Sequence, residues 1–171
     1  MNDAQPPTRA SAQRRECGRT GADGNANSTI RRAVAGDVPE IFAVRTAVKE
    51  NHLSEAQLAE RGITPDTVVY SLATGMAGWV AEEGGRTVGF SLADPVIGGI
   101  FALFVLPAYE GRGHGTRLLE AAVAWLRERG HGEIMLDTGL RSSAVTFYQR
   151  RGWRRVEVLP SGEVRMVLPP C

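Results

Sequence analysis

Phe104-Val105-Leu106-Pro107-Ala108-Tyr109-Glu110-Gly111-Arg112-Gly113-His114-Gly115-Thr116-Arg117-Leu118-Leu119 is the stretch on which the reading of this chain turns. An apolar run from Ile100 to Leu106 leads into it and reads as a buried strand, which Pro107 stops because proline has no N–H to give to a ladder. Gly111, Gly113 and Gly115 follow at alternate positions, and from Thr116 the apolar residues take helical spacing. The order is strand, glycine loop, helix. Glycines let backbone N–H groups face outward with no Cβ in the way, and a helix N-terminus adds partial positive charge. The pattern predicts an anion cradle suited to phosphate, although the same glycines would also serve a plain tight turn. Two phosphate loops are excluded: no Gly-Lys-Ser/Thr closes a Walker A sequence, and Thr116 stands where the dinucleotide fingerprint requires glycine.

Upstream, Trp79 to Glu82 and Thr87 to Ala93 read as strands joined by the hairpin composition Glu83-Gly84-Gly85-Arg86. Asp94-Pro95 and Gly98-Gly99 then turn the chain into the central strand, so an antiparallel meander precedes the glycine loop. Before it, Ile30 to Val34 predicts the first strand, and Asp37 with Glu40 has capping-box spacing for a helix with Ile41, Val44 and Val48 on one face. Ser54 with Gln57 repeats that signature for a short helix closed by Gly62, and Thr64-Pro65 starts a third carrying Val68, Val69 and Leu72. Downstream, Thr116 to Arg129 is a helix with Leu118, Ala122, Trp125 and Leu126 toward the sheet and Gly130 as its stop. Glu133 to Thr138 is a strand that the preceding helix makes parallel to Ile100–Leu106. Ser142 to Arg150 is a helix, and Trp153 to Val158 with Glu163 to Leu168 a final hairpin. The fold class is a mixed α/β sheet of about seven strands with flanking helices.

The bulk properties narrow the field. A chain of 171 residues is one domain's worth, and with a formal net charge of +1 and basic and acidic residues interspersed it carries no nucleic-acid footprint. All but Lys49 of the 20 basic residues are arginine. Residues 1–28 are rich in Pro, Ala, Gly, Ser, Asn and Arg without apolar periodicity, and they read as a disordered extension, with an organelle transit peptide as a weaker alternative. Residues 169–171 are a C-terminal tail. Cys17 and Cys171 form neither a disulfide framework nor a metal motif, and a reducing cytoplasm is the simplest compartment. No apolar run is long enough to span a bilayer, and His52, His114 and His131 have no ligand spacing, so neither a membrane partner nor a metal is expected.

Val105-x-Pro107-x-Tyr109-x-Gly111-Arg112-Gly113-x-Gly115-x-x-Leu118-Leu119 resembles the acetyl-CoA signature of the Gcn5-related N-acetyltransferases (GNAT), whose loop pattern is Gln/Arg-x-x-Gly-x-Gly/Ala. Ala144-x-x-Phe147-Tyr148-x-x-x-Gly152-Trp153 resembles the family's second block, and Ile30-Arg31-x-Ala33-x-x-x-Asp37 its usual first strand and helix start. Together these cover Thr29 to Leu168, the expected GNAT-like domain 29–168. The resemblance implies an acyl-CoA N-acyltransferase fold in which the central strand and its parallel neighbour splay apart, helped by a β-bulge. The pantetheine arm of acetyl-CoA would lie in the gap on the backbone of Leu103, Phe104 and Val105. Gly111, Arg112, Gly113, His114, Gly115 and Thr116 would hold the pyrophosphate, His114 through its backbone.

It implies roles for side chains as well. Tyr148 occupies the family's proton-donor position, and a phenol of pKa near ~10 matches a departing thiolate. Its plainer reading is a packed tyrosine with its hydroxyl bonded to backbone. Asp137 stands near where some members carry a carboxylate base; otherwise it ends a strand or caps a turn. Phe42, Arg45, Asn51 and His52 border the acceptor side. Two positions depart from the pattern, since Glu110 replaces Gln or Arg beside the phosphates and Arg141 replaces an asparagine that bonds the cofactor arm. The activity implied is acetyl transfer from acetyl-CoA to the primary amine of a small molecule or amino-acid-like acceptor by direct attack. The alternative is a catalytically weak acyl-CoA-binding regulatory or sensor module. A homodimer is open, because the two terminal strands offer edges.

Overall fold

The computed structural model describes residues 27–171, so residues 1–26, which hold nearly all of the expected extension, lie outside the described residues. Seven strands form a single sheet in the order β1-β2-β3-β4-β5-β7-β6, where β1 is Ser28–Arg32, β2 Ala77–Glu83, β3 Arg86–Asp94, β4 Gly99–Val105, β5 Ile134–Gly139, β6 Arg154–Val158 and β7 Glu163–Leu168. The helices are α1 Val38–Ala47, α2 Glu55–Glu60, α3 Pro65–Thr74, α4 His114–Glu128 and α5 Ser143–Gln149. Among the described residues every pairing is antiparallel except β4 with β5, between which α4 carries the chain back to the same end of the sheet.

The central strands owe their length to apolar density. β2 and β3 are buried over most of their residues, which is why they read as continuous rather than alternating runs. α4 lays Leu118, Ala122 and Leu126 on the sheet with no exposed surface, and burial of each leucine contributes about 1.5–3 kcal/mol. Ser91, the buried polar residue beneath it, donates its hydroxyl hydrogen to the Leu118 carbonyl at 3.2 Å, so its polar group is satisfied. Trp125 packs edge-on to Trp79 with ring centroids 5.9 Å apart.

Capping follows the sequence at two of three helix starts. Ser54 accepts from the Gln57 N–H and its own N–H is bonded by the Gln57 side chain, while Thr64 accepts from the Thr67 N–H. Asp37 differs from expectation. It stands at the start of α1, but its carboxylate accepts from the Val34 N–H at 2.8 Å and from both terminal nitrogens of Arg31 at 2.7 and 2.8 Å. It ties strand β1 to the turn before α1 and makes no capping box with Glu40. A guanidinium offers a planar fork that a backbone amide cannot match.

Three further expectations are corrected. β7 is paired on both sides, so β6 and β1 are the edges of the sheet, and Glu163–Leu168 offers none. Ser28, expected in the extension, is the first residue of β1, and the tail is tied down at Pro169, whose carbonyl accepts from Arg127 at 2.6 Å. Cys171 is disulfide-bonded, so the reading of two unbridged cysteines does not hold there, and Cys17 lies outside the described residues.

Candidate active site

β4 and β5 share a single paired position, Gly99 opposite Met135, next to a hydrogen bond from the Met135 N–H to the Gly98 carbonyl. Beyond it the two strands are not paired. β4 stays bonded to β3 along its other side up to Val105, so one edge of Leu103, Phe104 and Val105 is left open. A bulge accompanies the parting. Leu92 pairs with Ala102 and Ala93 with Ile100, which leaves Phe101 as the extra residue on β4. The wedge opens into a groove of about 1250 Å³ that runs from the glycine loop to the loop after α1.

At one end stands the cradle. Gly111 (φ 73°) and Gly113 (φ 85°) hold left-handed backbone, and Gly113 is the residue from which α4 starts. The amides of Gly111 to Thr116 donate to no carbonyl or side chain among the described residues, and the first intrahelical bond is Arg117 N–H to Gly113. Gly111, Gly113, His114, Gly115 and Thr116 line the groove. Gly115 is in the first turn of α4, where an added Cβ would meet Phe147 at an ordinary 3.5 Å.

The cradle's two basic side chains turn away from it. His114 is 1 % exposed, and its Nε2 lies 2.6 Å from Glu83, while its Nδ1 faces Ser28 and Arg117. Arg112 bonds the same Glu83 at 2.6 Å and stacks over Tyr109, and it does not line the groove. Glu83 is held below the usual carboxylate range by His114 first and Arg112 second. This cluster pins the loop from behind, so His114 meets the groove through its backbone while Arg112 stays outside it.

Tyr148 lies midway, 5 % exposed, packed edge-on to Phe147 at 5.1 Å and against Trp153 at 5.6 Å. Its hydroxyl has no hydrogen bond to backbone or side chain among the described residues, unlike the plain packing reading, and the residue lines the groove. Burial pushes the phenol up from its ordinary value, with a smaller opposing effect of Arg151. The neutral, proton-bearing form is therefore the one held at neutral pH.

Asp137 lines the groove from β5, with both carboxylate oxygens 2.9 Å from the Arg165 guanidinium on β7. On the acceptor side Phe42, Arg45 and Asn51 line the groove. His52 does not: its Nδ1 sits 3.0 Å from the Val48 carbonyl and the ring is exposed. Glu110 lines the groove as an exposed carboxylate, and Arg141 is exposed outside it.

Two contributors escaped the sequence reading. Arg151 stacks on Phe147 at 3.8 Å and donates to the Thr116 hydroxyl at 2.5 Å, which brings a guanidinium to the rim of the cradle. Its place three residues after Tyr148 in the second motif block is the signal that could have found it. Glu50 reaches across the chain to the start of α5, accepting from the Ser143 hydroxyl at 2.6 Å and the Ser143 N–H at 3.1 Å. It bridges the loop after α1 to the far wall of the groove, and no local pattern announces a contact between residues so far apart.

Residues 45–153, more than half of the chain, match the Acetyltransferase (GNAT) family. The chain belongs to the GNAT acetyltransferase family. An uncharacterised N-acetyltransferase of Methanocaldococcus jannaschii is 33 % identical over 99 residues, covering 52 % of this chain and 43 % of that protein. N-acetyltransferase 8 of Mus musculus is 33 % identical over 98 residues, again 52 % of this chain and 43 % of the relative. The alignments thus span less than half the length of these relatives. The crystal structure of PaiA N-acetyltransferase from Thermoplasma acidophilum in complex with coenzyme A superposes with a TM-score of 0.68 at 16 % identity, covering 83 % of this chain and 98 % of that one. At that identity the likeness shows the GNAT fold.

The residues on hand fit an acyl-CoA. Six consecutive amides without acceptors, a helix N-terminus and the nearby Arg151 suit a diphosphate, and the open edge of β4 suits an amide-bearing arm. Glu110 is the one group of unfavourable sign at the rim. No group of three or more His, Cys, Asp or Glu placed to hold a metal ion occurs among the described residues, and no described helix is long and apolar enough to cross a membrane.

Proposed function

We propose that this protein is an acetyl-CoA-dependent N-acetyltransferase that moves the acetyl group to the primary amine of a small molecule or amino-acid-like acceptor by direct attack. The observation that carries the reading is Tyr148, which lines the wedge between the cradle and the loop after α1 with its hydroxyl bonded to no described residue. Acetyl-CoA supplies an acyl group already activated as a thioester. The amides of Gly111 to Thr116 bind its diphosphate, and the open edge of Leu103 to Val105 bonds the arm so that the thioester lies beside Tyr148. Tyr148 gives its proton to the leaving sulfur; burial keeps the phenol neutral but makes it a weaker acid than a free phenol, so the transfer rests on the hydroxyl's place beside the sulfur more than on matched acidity.

Asp137 acts on the other reactant. Held by Arg165, its carboxylate keeps lone pairs open to the groove and orients the incoming amine by accepting its N–H; the amine attacks as the free base, its ammonium proton having gone to solvent buffer beforehand. Thiol release from acetyl-CoA across a panel of primary amines tests the whole reading. Turnover that falls on Tyr148→Phe supports it, and tight CoA binding with no turnover of any amine favours the acyl-CoA-binding regulatory module instead.

A further inference from the structure

One nitrogen of Arg45, Nη1, is buried and has no hydrogen-bond partner among the described residues. A buried donor of a charged group left unmade is costly, so such positions call for a partner. The rest of the guanidinium is held in place, stacked on the Phe104 ring at 4.3 Å with Nη2 donating to the Asn51 carbonyl at 3.0 Å. Phe104 belongs to the open strand, so Arg45 sits against the wall of the wedge.

The surroundings have the wrong sign for a cation. Burial lowers the Arg45 pKa most, and the positive charge of Arg61, which lines the same groove, lowers it further. Neither arginine forms an ion pair among the described residues. Of the groove's four carboxylates, Asp137 pairs with Arg165, Glu163 bonds Ser161, Glu110 stands in the glycine-loop segment and Glu50 is held by Ser143, and none forms an ion pair with Arg45 or Arg61 among the described residues. The two guanidiniums thus share one groove with no ion-pair partner, amid the apolar walls of Leu53 and Ile63. The anion that would satisfy them has to come with a ligand, and the diphosphate is already assigned to the far end.

We infer that Arg45, assisted by Arg61, binds a carboxylate carried by the acceptor, so that the acceptor is an apolar amino acid or a compound with the same amine-plus-carboxylate head. This rests on the acetyl-transfer reading and narrows it. For Nη1 to meet that carboxylate the guanidinium has to turn, exchanging the Asn51 carbonyl for the ligand. The apolar walls take the side chain, and the amine is left free to point toward Asp137 and the thioester. Arg45 is a positioning residue, since it acts on the acceptor away from the reacting atoms.

The test is calorimetric binding of L-leucine, L-methionine and L-phenylalanine, each beside its carboxamide, to the full chain saturated with CoA. Thiol release from acetyl-CoA is measured separately on the same compounds. The acids are expected to bind at least tenfold more tightly than their amides in the wild type. In Arg45→Met, which keeps a side chain over Phe104, that preference disappears while CoA affinity is unchanged, and Arg45→Lys restores part of it. Equal affinity of acid and amide in the wild type, or no measurable affinity for either across the panel, overturns the inference whether or not the variants fold. Failure of acetyl transfer is read independently: an acid that binds selectively but releases no thiol leaves Arg45 assigned and sinks the enzymatic reading.

Discussion

The two ends of the groove are built on different principles. At the cradle end the groups proposed to bind are main-chain amides, and the side chains of His114 and Arg112 brace the loop from behind through Glu83. At the other end the groups proposed to work are side chains, Arg45 on α1, Asn51 on the loop after it and Asp137 on β5, and Glu50 fastens that loop to α5. Backbone donors recognise a diphosphate whatever else is attached to it, and side chains select one acceptor from many. A common donor and a variable acceptor can therefore be served by one fold that keeps the first end and changes the second.

Substitutions can break or sharpen that contrast. The largest effect is expected at the point between the two ends: Tyr148→Phe removes the proton donor and should lower kcat by about 10²-fold or more, with little change in KM for acetyl-CoA, measured by thiol release. The pH profile carries a matching expectation. Burial favours the neutral phenol, so the wild-type rate should rise with pH while the amine loses its proton, near ~10, with no earlier falling limb from Tyr148. Next comes Gly113→Val. Its φ of 85° strains any β-branched residue, and the bent amides should lose at least about tenfold in CoA affinity by calorimetry.

A smaller effect is expected of Asp137→Asn, which keeps the shape and removes the charge. It should cost under about tenfold in kcat/KM, and that loss should appear with the amine and not with CoA. Smallest is Gly115→Ala. The new methyl meets Phe147 at ordinary contact distance inside a helix, so CoA affinity should change by less than about twofold, the size of a few tenths of a kcal/mol. Equal losses at Gly113 and Gly115 would mean that the cradle recognises shape through both glycines and not through the left-handed turn.

How much could be read without coordinates follows the same division. The strand–glycine-loop–helix order and the parallel pair were legible because they rest on local signals: proline stopping a strand, glycine at alternate positions, a helix between two strands. Tyr148 was singled out only through the resemblance to the family's second block. The Asp37 cap was misread for the opposite reason. Its spacing to Glu40 is local, but Arg31 from β1 outcompetes the helix for its carboxylate, and that meeting depends on how the strand lies. The fates of Asp137, His52 and Glu50 were equally hidden, since each is set by a partner or a turn that only the assembled sheet and loops bring near. Arg45 was visible as a residue beside the acceptor, but the unpaired nitrogen that gives it meaning is a property of packing.

An amide-correlation NMR titration of the full chain with CoA tests the central claim most directly, because the donors at issue are the nuclei observed. The amides of Gly111, Gly113, Gly115 and Thr116 should move most, those of Leu103 to Val105 next, and those of the edge strands β1 and β6 hardly at all. Saturable binding that leaves the glycine loop unmoved and shifts residues elsewhere would contradict it.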